Sequence, residues 1–347
     1  MSTQTTTGDD PAEAILARIH ARGGAPTIYD IAELAGVNPS TVSRALGKPG
    51  RISAATAAKV RAAAERLDFR VNPMARALQT GKTKMIGLVL ADITNPVVFG
   101  IVRGAEHAAA EAGYTLVIAE SQESGENEAE AIERLLPSVD ALVLATTRLA
   151  AGRITELAGR KPVILINRAV DGVDSVLPDI DAGVVELIDH LASLGHRSVA
   201  FLAGPDTSWI SARRWSSILA AAEARDMAIV EIGPNAPTIT GGREALRRVS
   251  ASRVTAVIAY NDLMALGLMQ EAAAAGIPVP DRLSVVGFDD IFGSELISPT
   301  LTTVGTDLMA AGRQAVERLL AEDDADCDLE PLPTRLIVRG STGSAAV

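Results

Sequence analysis

The sequence predicts an α/β protein with a small helical segment at one end and a larger core of doubly wound parallel sheets. Three observations predict this fold class. From residue 85 onward, short apolar runs without alternation are each followed by an amphipathic helical stretch, which is typical of strands buried on both faces of a parallel sheet. Residues 26–69 have instead the spacing of three short helices. The length of 347 residues is enough for two or three domains.

The basic segment, residues 26–71, is predicted to be a helix-turn-helix DNA-binding domain. Thr27 caps a first helix that Gly36 ends, Asn38 caps a second helix, and a third covers residues 54–67. Two helices joined by a short turn with glycine form a helix-turn-helix, whose second helix is free to enter a major groove. Helical bundles without a ligand show similar spacing, but the location in a basic segment favours DNA binding.

The segments on either side of this domain are predicted to be less ordered. Residues 1–25 form a mobile extension with at most one helix, at residues 12–21. Residues 72–84 form a hinge helix and linker, in which Asn72 and Pro73 begin a helix of two turns. Because so short a helix is unstable alone in water, the hinge should order only when something packs against it.

The core, residues 85–347, contains more strand candidates than one open sheet usually holds, so we predict two similar lobes with a cleft between them. Ligands of doubly wound sheets bind at the carboxyl ends of the strands. Polar side chains at these ends can also cap the helix that follows, which is the commoner role of an aspartate there. The polar strand ends are Asp92 to Asn95, Asn167 and Arg168, Asn261 and Asp262, and Asp289 and Asp290.

The composition is that of a globular protein, with 48% apolar and 22% charged residues, which excludes disordered and collagen-like chains. The one cysteine, Cys327, leaves no intramolecular disulfide and no cysteine-based metal cluster, and we expect neither a metal nor a cofactor. The apolar runs stop far short of the roughly 20 residues of a membrane span. Asp9 and Asp10 stand where a signal peptide carries basic residues. We therefore expect a cytoplasmic protein.

The net charge of −11 is distributed unevenly along the chain. Residues 26–84 carry ten basic and four acidic side chains, whereas residues 85–347 carry twenty basic and thirty-six acidic ones. A basic module joined to an acidic one is expected when only one end of a chain approaches phosphates. On charge alone, a basic face that is merely solvated remains an alternative.

Side chains at the start of the second helix are predicted to contact DNA. Those that can reach base edges are Asn38, Pro39, Ser40 and Arg44. Arg44 has the forked geometry that pairs with guanine, and contact with a phosphate is its alternative role. Thr41 and Ser43 are better placed for phosphates. Further DNA contacts are expected from Thr27, Tyr29, Asn72, Ala75 and Leu78.

A series of motifs follows in one order along the chain: TIYDIAELAGVNPSTVSRALG, VNPMARALQTGKTKMIGLVLADITNPV, LGHRSVAFLAGP, YNDLMALG, LSVVGFDDI, PTLTTV and LPTRLIVRGST. Over about residues 26–343 the chain thereby resembles the lactose-repressor/galactose-repressor family of bacterial transcription regulators. The resemblance implies a homodimer whose heads read a near-palindromic operator, and a hinge helix that places Leu78 in the minor groove. It also implies a core like that of periplasmic sugar-binding proteins. The chain departs from the family in its N-terminal extension, in Val98 where an aromatic residue is common, and in lacking a leucine-heptad tail, which favours a dimer over a tetramer.

The resemblance places a sugar effector between the lobes. Asp289 and Arg168 fall where the family's sugar-contacting carboxylate and guanidinium lie, and together they offer acceptors and donors to adjacent hydroxyl groups. Ser211, Arg213 and Arg214 are weaker candidates, because Trp215 occupies what is usually an arginine position. Trp215 either stacks on a sugar face or packs in the core. Further effector contacts are expected from Asp92, Asn95, Val98, Arg213, Trp215 and Asn261.

The sequence therefore predicts a non-enzymatic regulator, most simply a repressor, with operator DNA and a small sugar-like effector as partners and no membrane association. Nucleotide-binding glycine loops and the G-x-S-x-G elbow of hydrolases do not occur, and the four histidines lack metal-ligand spacing. Two alternatives stay open: a cytoplasmic sugar-binding protein without DNA activity, and an activator that responds to nucleosides or sugar phosphates. The sequence names neither the effector nor the operator.

Overall fold

The structure, a computed structural model, divides the chain into two compact units, a head of residues 1–82 and a core of residues 83–347. This division lies close to the boundary predicted after residue 84. The residues that the structure describes are 10–47, 52–70, 81–321 and 329–346.

The described part of the head contains four helices. They are α1 (Pro11–Ala21), α2 (Ile28–Ala35), α3 (Pro39–Gly47) and α4 (Ala54–Arg66). Helices α2 to α4 are the predicted helix-turn-helix head. Their apolar sides meet in one core around Ile31, Val42, Val60 and Leu67, each of which is at most 1% exposed.

Residues 10–25 differ from the expected mobile extension, because α1 belongs to the head. Asp10 caps the helix by accepting a hydrogen bond from the backbone two residues on, at 3.1 Å. Ile15 and Ile19 lie one turn apart and are buried in the same core as α2 to α4. Arg22 forms an ion pair with Asp30 of α2 at 2.6 Å. An apolar stripe of only a few side chains was enough to dock this helix.

The first lobe of the core is built on a five-stranded sheet. In chain order its elements are β1 (Met85–Leu90), α5 (Val97–Glu111), β2 (Thr115–Glu120), α6 (Gly125–Leu135), β3 (Ala141–Ala145), α7 (Ala151–Ala158), β4 (Val163–Ile166) and β5 (Ser175–Val176). All strands are parallel, in the order β2-β1-β3-β4-β5. The strands β1, β3 and β4 are buried almost throughout, as their unbroken apolar runs predict.

The second lobe is built on a six-stranded sheet. In chain order its elements are α8 (Ile180–Ser193), β6 (Ser198–Leu202), α9 (Trp209–Glu223), β7 (Ala228–Ile232), α10 (Ile239–Ser252), β8 (Ala256–Ala259), α11 (Asp262–Ala274), β9 (Ser284–Phe288), a 3₁₀ turn (Phe292–Glu295), β10 (Thr302–Thr306) and β11 (Thr334–Ile337). Helix α12 (Leu308–Leu320) lies between β10 and β11 in the chain. The strand order is β11-β10-β9-β8-β6-β7, and only the edge strand β11 is antiparallel to its neighbour.

Helix α12 returns to the first lobe, where it packs against α5 and against β3, β4 and β5. The chain therefore passes between the lobes after β5, before α12 and again before β11. This arrangement confirms the doubly wound, two-lobed core. Within the described ranges, no helix combines the length and the apolar character of a membrane span.

Candidate functional site

The helix-turn-helix surface is formed at the turn between α2 and α3. Gly36 ends α2 in the left-handed conformation, with φ at 65°. The Asn38 side chain accepts a hydrogen bond from the Ser40 backbone N–H at 3.1 Å, which satisfies an amide that has no partner within the helix. Val42 is fully buried, so α3 turns one side to the head core and exposes the other.

The outer side of α3 carries most of the side chains that we predict to contact DNA. The exposed ones are Asn38, Ser40, Ser43 and Arg44, and the half-buried ones are Pro39 and Thr41. Arg44 donates a hydrogen bond to the Ser40 hydroxyl at 3.2 Å, and this hydroxyl donates to the Asn38 side chain at 3.1 Å. The result is a row of donors and acceptors on one exposed helix face, which suits the edges of base pairs.

Thr27 and Tyr29, at the start of α2, differ in their surroundings. Tyr29 is 69% exposed. The Thr27 hydroxyl and backbone N–H donate to Asp30 at 2.7 and 2.8 Å, so Thr27 also fixes the start of the helix. Burial alone raises the pKa of Asp30, but hydrogen bonds from Arg22 and Thr27 outweigh it and lower this pKa from 3.8 to about 2.

The remaining predicted DNA contacts are those of the hinge. Asn72, Ala75 and Leu78 lie outside the described residues, and their contact with the minor groove stays a prediction.

A narrow cleft opens between the two lobes of the core. Most of its lining follows the carboxyl ends of the parallel strands, where ligands of doubly wound folds bind. The first lobe contributes Ala91, Asp92, Asn95, Val97, Val98, Glu123, Thr146, Arg148 and Asn167. The second lobe contributes Ile210, Arg214, Pro237, Tyr260, Asn261 and Asp289.

The cleft brings together several of the residues predicted to bind the effector, namely Asp92, Asn95, Val98, Asn261 and Asp289. Asp92 accepts hydrogen bonds from the backbone and the hydroxyl of Thr94, at 2.7 and 2.6 Å. Asn261 caps α11 and donates to the Pro237 carbonyl at 3.0 Å, so it supports the cleft wall as well as lining it. Val98 is buried and adds an apolar contact.

Arg214 and Asp289 form an ion pair in the wall of the second lobe, at 2.8 Å. Both side chains are about nine-tenths buried. The Arg214 guanidinium also donates to the Tyr260 carbonyl and lies 4.4 Å from the centre of the Phe288 ring. Burial raises the pKa of Asp289, and the ion pair with Arg214 offsets part of that rise. This pair offers charge-assisted donors and acceptors at one place.

Asp262 fixes the loop that presents Asp289. It is fully buried and accepts hydrogen bonds from Thr303 at 2.6 Å, Ser294 at 2.7 Å and the backbone of Ile291 at 2.9 Å. Burial, with the charge of Asp289 adding to it, raises the pKa of Asp262 to about 7. The loop needs such support because Asp289 has a φ of 108°.

Arg148 and Glu123 form the corresponding ion pair in the first lobe. The Arg148 Nε and Nη2 lie 2.8 and 2.5 Å from the Glu123 carboxylate. Burial opposes the charge of Arg148, but Tyr260 and Glu123 outweigh it and raise the pKa of this guanidinium. Arg148 and Tyr260 thus lie in opposite lobes and line the same cleft.

Three residues predicted to contact the effector lie outside the cleft lining, and the predicted geometry needs correction there. Arg168 extends behind the wall, where it donates to the Leu149 carbonyl at 3.4 Å. The residue before it, Asn167, has a φ of 60° and lines the cleft in its place. Arg213 pairs instead with Asp181 of α8 at 2.5 Å.

Trp215 is the third of these residues. Its ring stacks on Phe201, with the ring centres 5.9 Å apart, and Phe201 is fully buried. Of the two roles left open for Trp215, the structure therefore shows packing in the core.

Among the lining residues, Arg148, Glu123 and Tyr260 were not predicted; Asn167 was predicted only as a polar strand end, and Arg214 was ranked too low. Tyr260 stands at a strand end, and this signal could have found it. Glu123 and Arg148 lie in loops after β2 and β3, three residues beyond each strand, where no local pattern marks them. Arg214 follows Arg213 on a helix, so the choice between them depends on the helix rotation.

Comparison with known proteins agrees with this geometry. Residues 27–72 match the model of bacterial regulatory proteins of the lacI family, and residues 188–342 match a periplasmic binding protein-like domain. The chain is 32% identical to the transcriptional regulator DegA of Bacillus subtilis over 330 residues, which cover 91% of this chain and 98% of DegA. The chain belongs to the lacI family.

Solved structures of lacI-family proteins share the fold. A lac repressor dimer bound to operator and the anti-inducer ONPF is 27% identical with a TM-score of 0.83, over 92% of this chain and 99% of that one. A complex of the transcriptional regulator CelR with cellobiose is 27% identical with a TM-score of 0.65, over 91% and 99%. The predicted family and the DNA-binding regulatory function are thereby confirmed.

Proposed function

We propose that this lacI-family regulator is a repressor whose operator affinity is controlled by a small polyhydroxylated molecule, a sugar or a related metabolite, bound between the lobes. One observation carries the proposal. Carboxylates, guanidinium groups and amides from both lobes converge on the cleft at the strand ends. Such groups pair with the hydroxyls of a polyol that has been desolvated. The cellobiose complex of the CelR relative supports the same ligand class.

The cleft also provides a route by which a ligand can act on DNA binding. A ligand changes an equilibrium only by the difference in its affinity for two conformations. A molecule held by Asp289 from one lobe and by Asp92 or Asn95 from the other favours one arrangement of the lobes. A coupling of about 1–3 kcal/mol is typical of such allosteric systems.

The DNA-bound form is proposed to be a homodimer that acts in the cytoplasm, by binding and without catalysis. The lac repressor structure that this chain resembles is a dimer on its operator. Two helix-turn-helix heads related by a two-fold axis read a near-palindromic site, and the proposed location follows from the location of the DNA.

An electrophoretic mobility shift with DNA selected from a random duplex pool tests this proposal, after a thermal-shift screen of sugars and nucleosides. Any compound that binds the folded core raises its melting temperature by mass action. We expect a stabilising sugar to change the shift of the selected DNA. Stabilisation by a sugar with no sequence-specific DNA binding would support the sugar-binding alternative, and a response to nucleosides alone would replace the sugar.

A further inference from the structure

The two guanidinium groups of the cleft lining are both paired with carboxylates of the same lining. Arg148 reaches Glu123 through Nε at 2.8 Å and Nη2 at 2.5 Å, and its Nη1 donates to the Thr146 carbonyl at 2.9 Å. Its side chain is only 3% exposed. Arg214 is paired with Asp289 at 2.8 Å. Each cation of the lining is thus already neutralised by the protein.

The backbone holds Glu123 in place for this role. Gln122 and Glu123 both have left-handed backbone conformations, with φ at 53° and 61°. The Glu123 N–H donates to the Ala91 carbonyl at 2.9 Å, next to the end of β1. Two consecutive non-glycine residues in this conformation cost energy and persist only where their surroundings require them. The loop is therefore built to turn the Glu123 carboxylate towards Arg148.

Arg168, behind the wall, is a third guanidinium, and within the described residues no ion pair neutralises it and its Nε is buried without a hydrogen-bond partner. It lies outside the cleft lining, where burial, with the charge of Arg148 adding to it, lowers its pKa and the carboxyl of Glu128 offsets part of that decrease. Glu128 also accepts a hydrogen bond from the Arg148 backbone at 2.7 Å. In the cleft lining itself, the carboxylate of Asp92 accepts hydrogen bonds from the uncharged backbone and hydroxyl groups of Thr94. Carboxylates thus outnumber guanidinium groups along the wall.

We propose that Glu123 sets the charge class of the ligand: by holding Arg148 in a closed ion pair, it makes the cleft select an uncharged polyhydroxylated molecule and reject phosphorylated and carboxylated ones. This inference rests on the proposed function, because it concerns the same cleft. It decides between the neutral sugar and the sugar phosphate that the sequence left open.

The chemistry of the wall supports this choice. An anion would have to displace Glu123 or Asp289 from its arginine, and separating a buried ion pair leaves an unpaired charge in a dry site. A hydroxyl group avoids that cost, since it donates to a free lone pair of a carboxylate and accepts from an arginine without breaking the pair. Arg214 Nε is buried and has no hydrogen-bond partner among the described residues, so the ion pair with Asp289 leaves one donor of this guanidinium unused.

Inorganic phosphate is the probe that tests this inference, because it carries the rejected charge and needs no knowledge of the effector. We would compare the wild type with Glu123→Gln, which removes the charge that neutralises Arg148 and keeps the side-chain length. The control is Glu133→Gln. Glu133 pairs with Arg160 at 2.7 Å in the same lobe, so this variant also frees an arginine, but outside the cleft lining.

Phosphate binding would be measured as the melting-temperature shift of the full chain in phosphate against chloride at equal ionic strength. We expect phosphate affinity to rise at least tenfold in Glu123→Gln, to stay at the wild-type level in Glu133→Gln, and to fall back in the double variant Glu123→Gln/Arg148→Gln. Phosphate bound by the basic head is common to all variants and cancels in these differences.

Two results would overturn the inference: a Glu123→Gln protein that binds phosphate no more tightly than the wild type, or an equal gain in the control Glu133→Gln. If Glu123→Gln does not fold, the wild type is compared with Arg148→Gln, so that phosphate bound by the head still cancels. A larger phosphate shift in the wild type than in Arg148→Gln would then contradict the inference, and equal shifts would support it. A failure here is distinct from a failure of the proposed function, which is read from the response of DNA binding to sugars.

Discussion

Asp289 combines a strained backbone with a buried charge, and both have to be held by neighbouring residues. A non-glycine residue with φ near 108° costs roughly 1–3 kcal/mol. Its N–H donates to the Val304 carbonyl at 2.9 Å, and its carboxylate pairs with Arg214. The next residue, Asp290, turns the other way and pairs with Arg339 at 2.8 Å. The two neighbouring carboxylates therefore serve different partners, and Asp289 alone faces the cleft.

Substitution of the single side chain of Arg44 tests sequence-specific DNA recognition. Arg44 is exposed on α3, one turn after Asn38 and Ser40. If it pairs with a guanine, Arg44→Ala should lower affinity for the selected operator by roughly 1–3 kcal/mol. Fluorescence anisotropy on operator and on random DNA measures both affinities. Non-specific binding and its salt dependence should change little.

Ser43→Ala is the matched control, since Ser43 is exposed on the same helix and is predicted to contact a phosphate. An equal loss of affinity on every DNA sequence after Arg44→Ala would show that Arg44 contacts a phosphate instead.

At the residue scale, the sequence could predict the strand-end side chains but not the direction of their neighbours. Asp92, Asn261 and Asp289 follow buried strands, and parallel strands bring such ends to one edge of the sheet. Asn167 lines the cleft in place of Arg168 because the Asn167 backbone is in the left-handed conformation, and no glycine in the sequence indicates that conformation. Arg214 lines the cleft in place of Arg213 because neighbouring side chains of a helix point about 100° apart, and the sequence does not show which of the two faces the cleft.

Helices α5 and α12 are packed so closely that glycine is required between them. A Cβ added at Gly104 would lie 1.9 Å from the Met309 carbonyl oxygen, and one at Gly312 would lie 2.0 Å from that of Ile101. Glycine inside a helix normally costs about 0.5–1 kcal/mol relative to alanine. Here the close approach of two backbones explains its presence.

Gly104→Ala should therefore destabilise the core by roughly 1–3 kcal/mol, because the added methyl group forces the two helices apart. Urea unfolding followed by tryptophan fluorescence measures the change. Gly152→Ala in α7 is the control, since no atom lies within 4 Å of its added Cβ. This variant should be about 0.5–1 kcal/mol more stable than the wild type. Equal stabilisation by both substitutions would contradict the requirement for glycine between α5 and α12.

The ion pair between Arg22, which follows α1, and Asp30 of α2 makes the stability of the head depend on pH. The folded-state pKa of Asp30 is lowered to about 2, so its contribution is fully present above the ordinary pKa of 3.8 and is lost as the pH falls towards 2. Urea unfolding at pH 5 and pH 3, followed by the NMR signals of the Tyr29 ring, should show a lower midpoint at pH 3. Asp30→Asn should reduce this difference.

An unchanged pH dependence in Asp30→Asn would assign the acid sensitivity to other carboxyl groups. Asp10 is the first of them to examine, because it accepts hydrogen bonds from the start of α1 and from Arg66, which lower its pKa. Arg22→Ala removes the partner of Asp30 and should weaken the head already at pH 5.

At the scale of elements, the predicted strands and helices of the first lobe agree with the structure because each has a continuous apolar or amphipathic pattern. Strand β7 is not marked by an unbroken apolar run, since its side chains are mostly exposed at the sheet edge. Helix α12 could not be assigned to the first lobe, because nothing local shows that the chain returns there. Helix α1 was predicted only as a segment, not as part of the head.

The whole molecule combines a DNA-binding head with a two-lobed core that binds a small molecule. The two functions are linked only if the ligand distinguishes two states of the protein. Asp289→Asn separates them, because it keeps the size of the side chain and removes the charge-assisted acceptor. It should cost roughly 1.5–3 kcal/mol of effector affinity. Operator affinity without effector should stay near that of the wild type.

The most direct test is the operator affinity of wild type and Asp289→Asn, measured by anisotropy across a titration of the sugar that stabilises the core. We expect the sugar to shift wild-type affinity by about 5- to 150-fold, and we expect Asp289→Asn to bind the operator equally well but to need far more sugar to respond. An identical sugar response in both proteins would remove Asp289 from the site. If no core-stabilising ligand changes the operator affinity of the wild type, the claim that a ligand in the cleft controls DNA binding is contradicted.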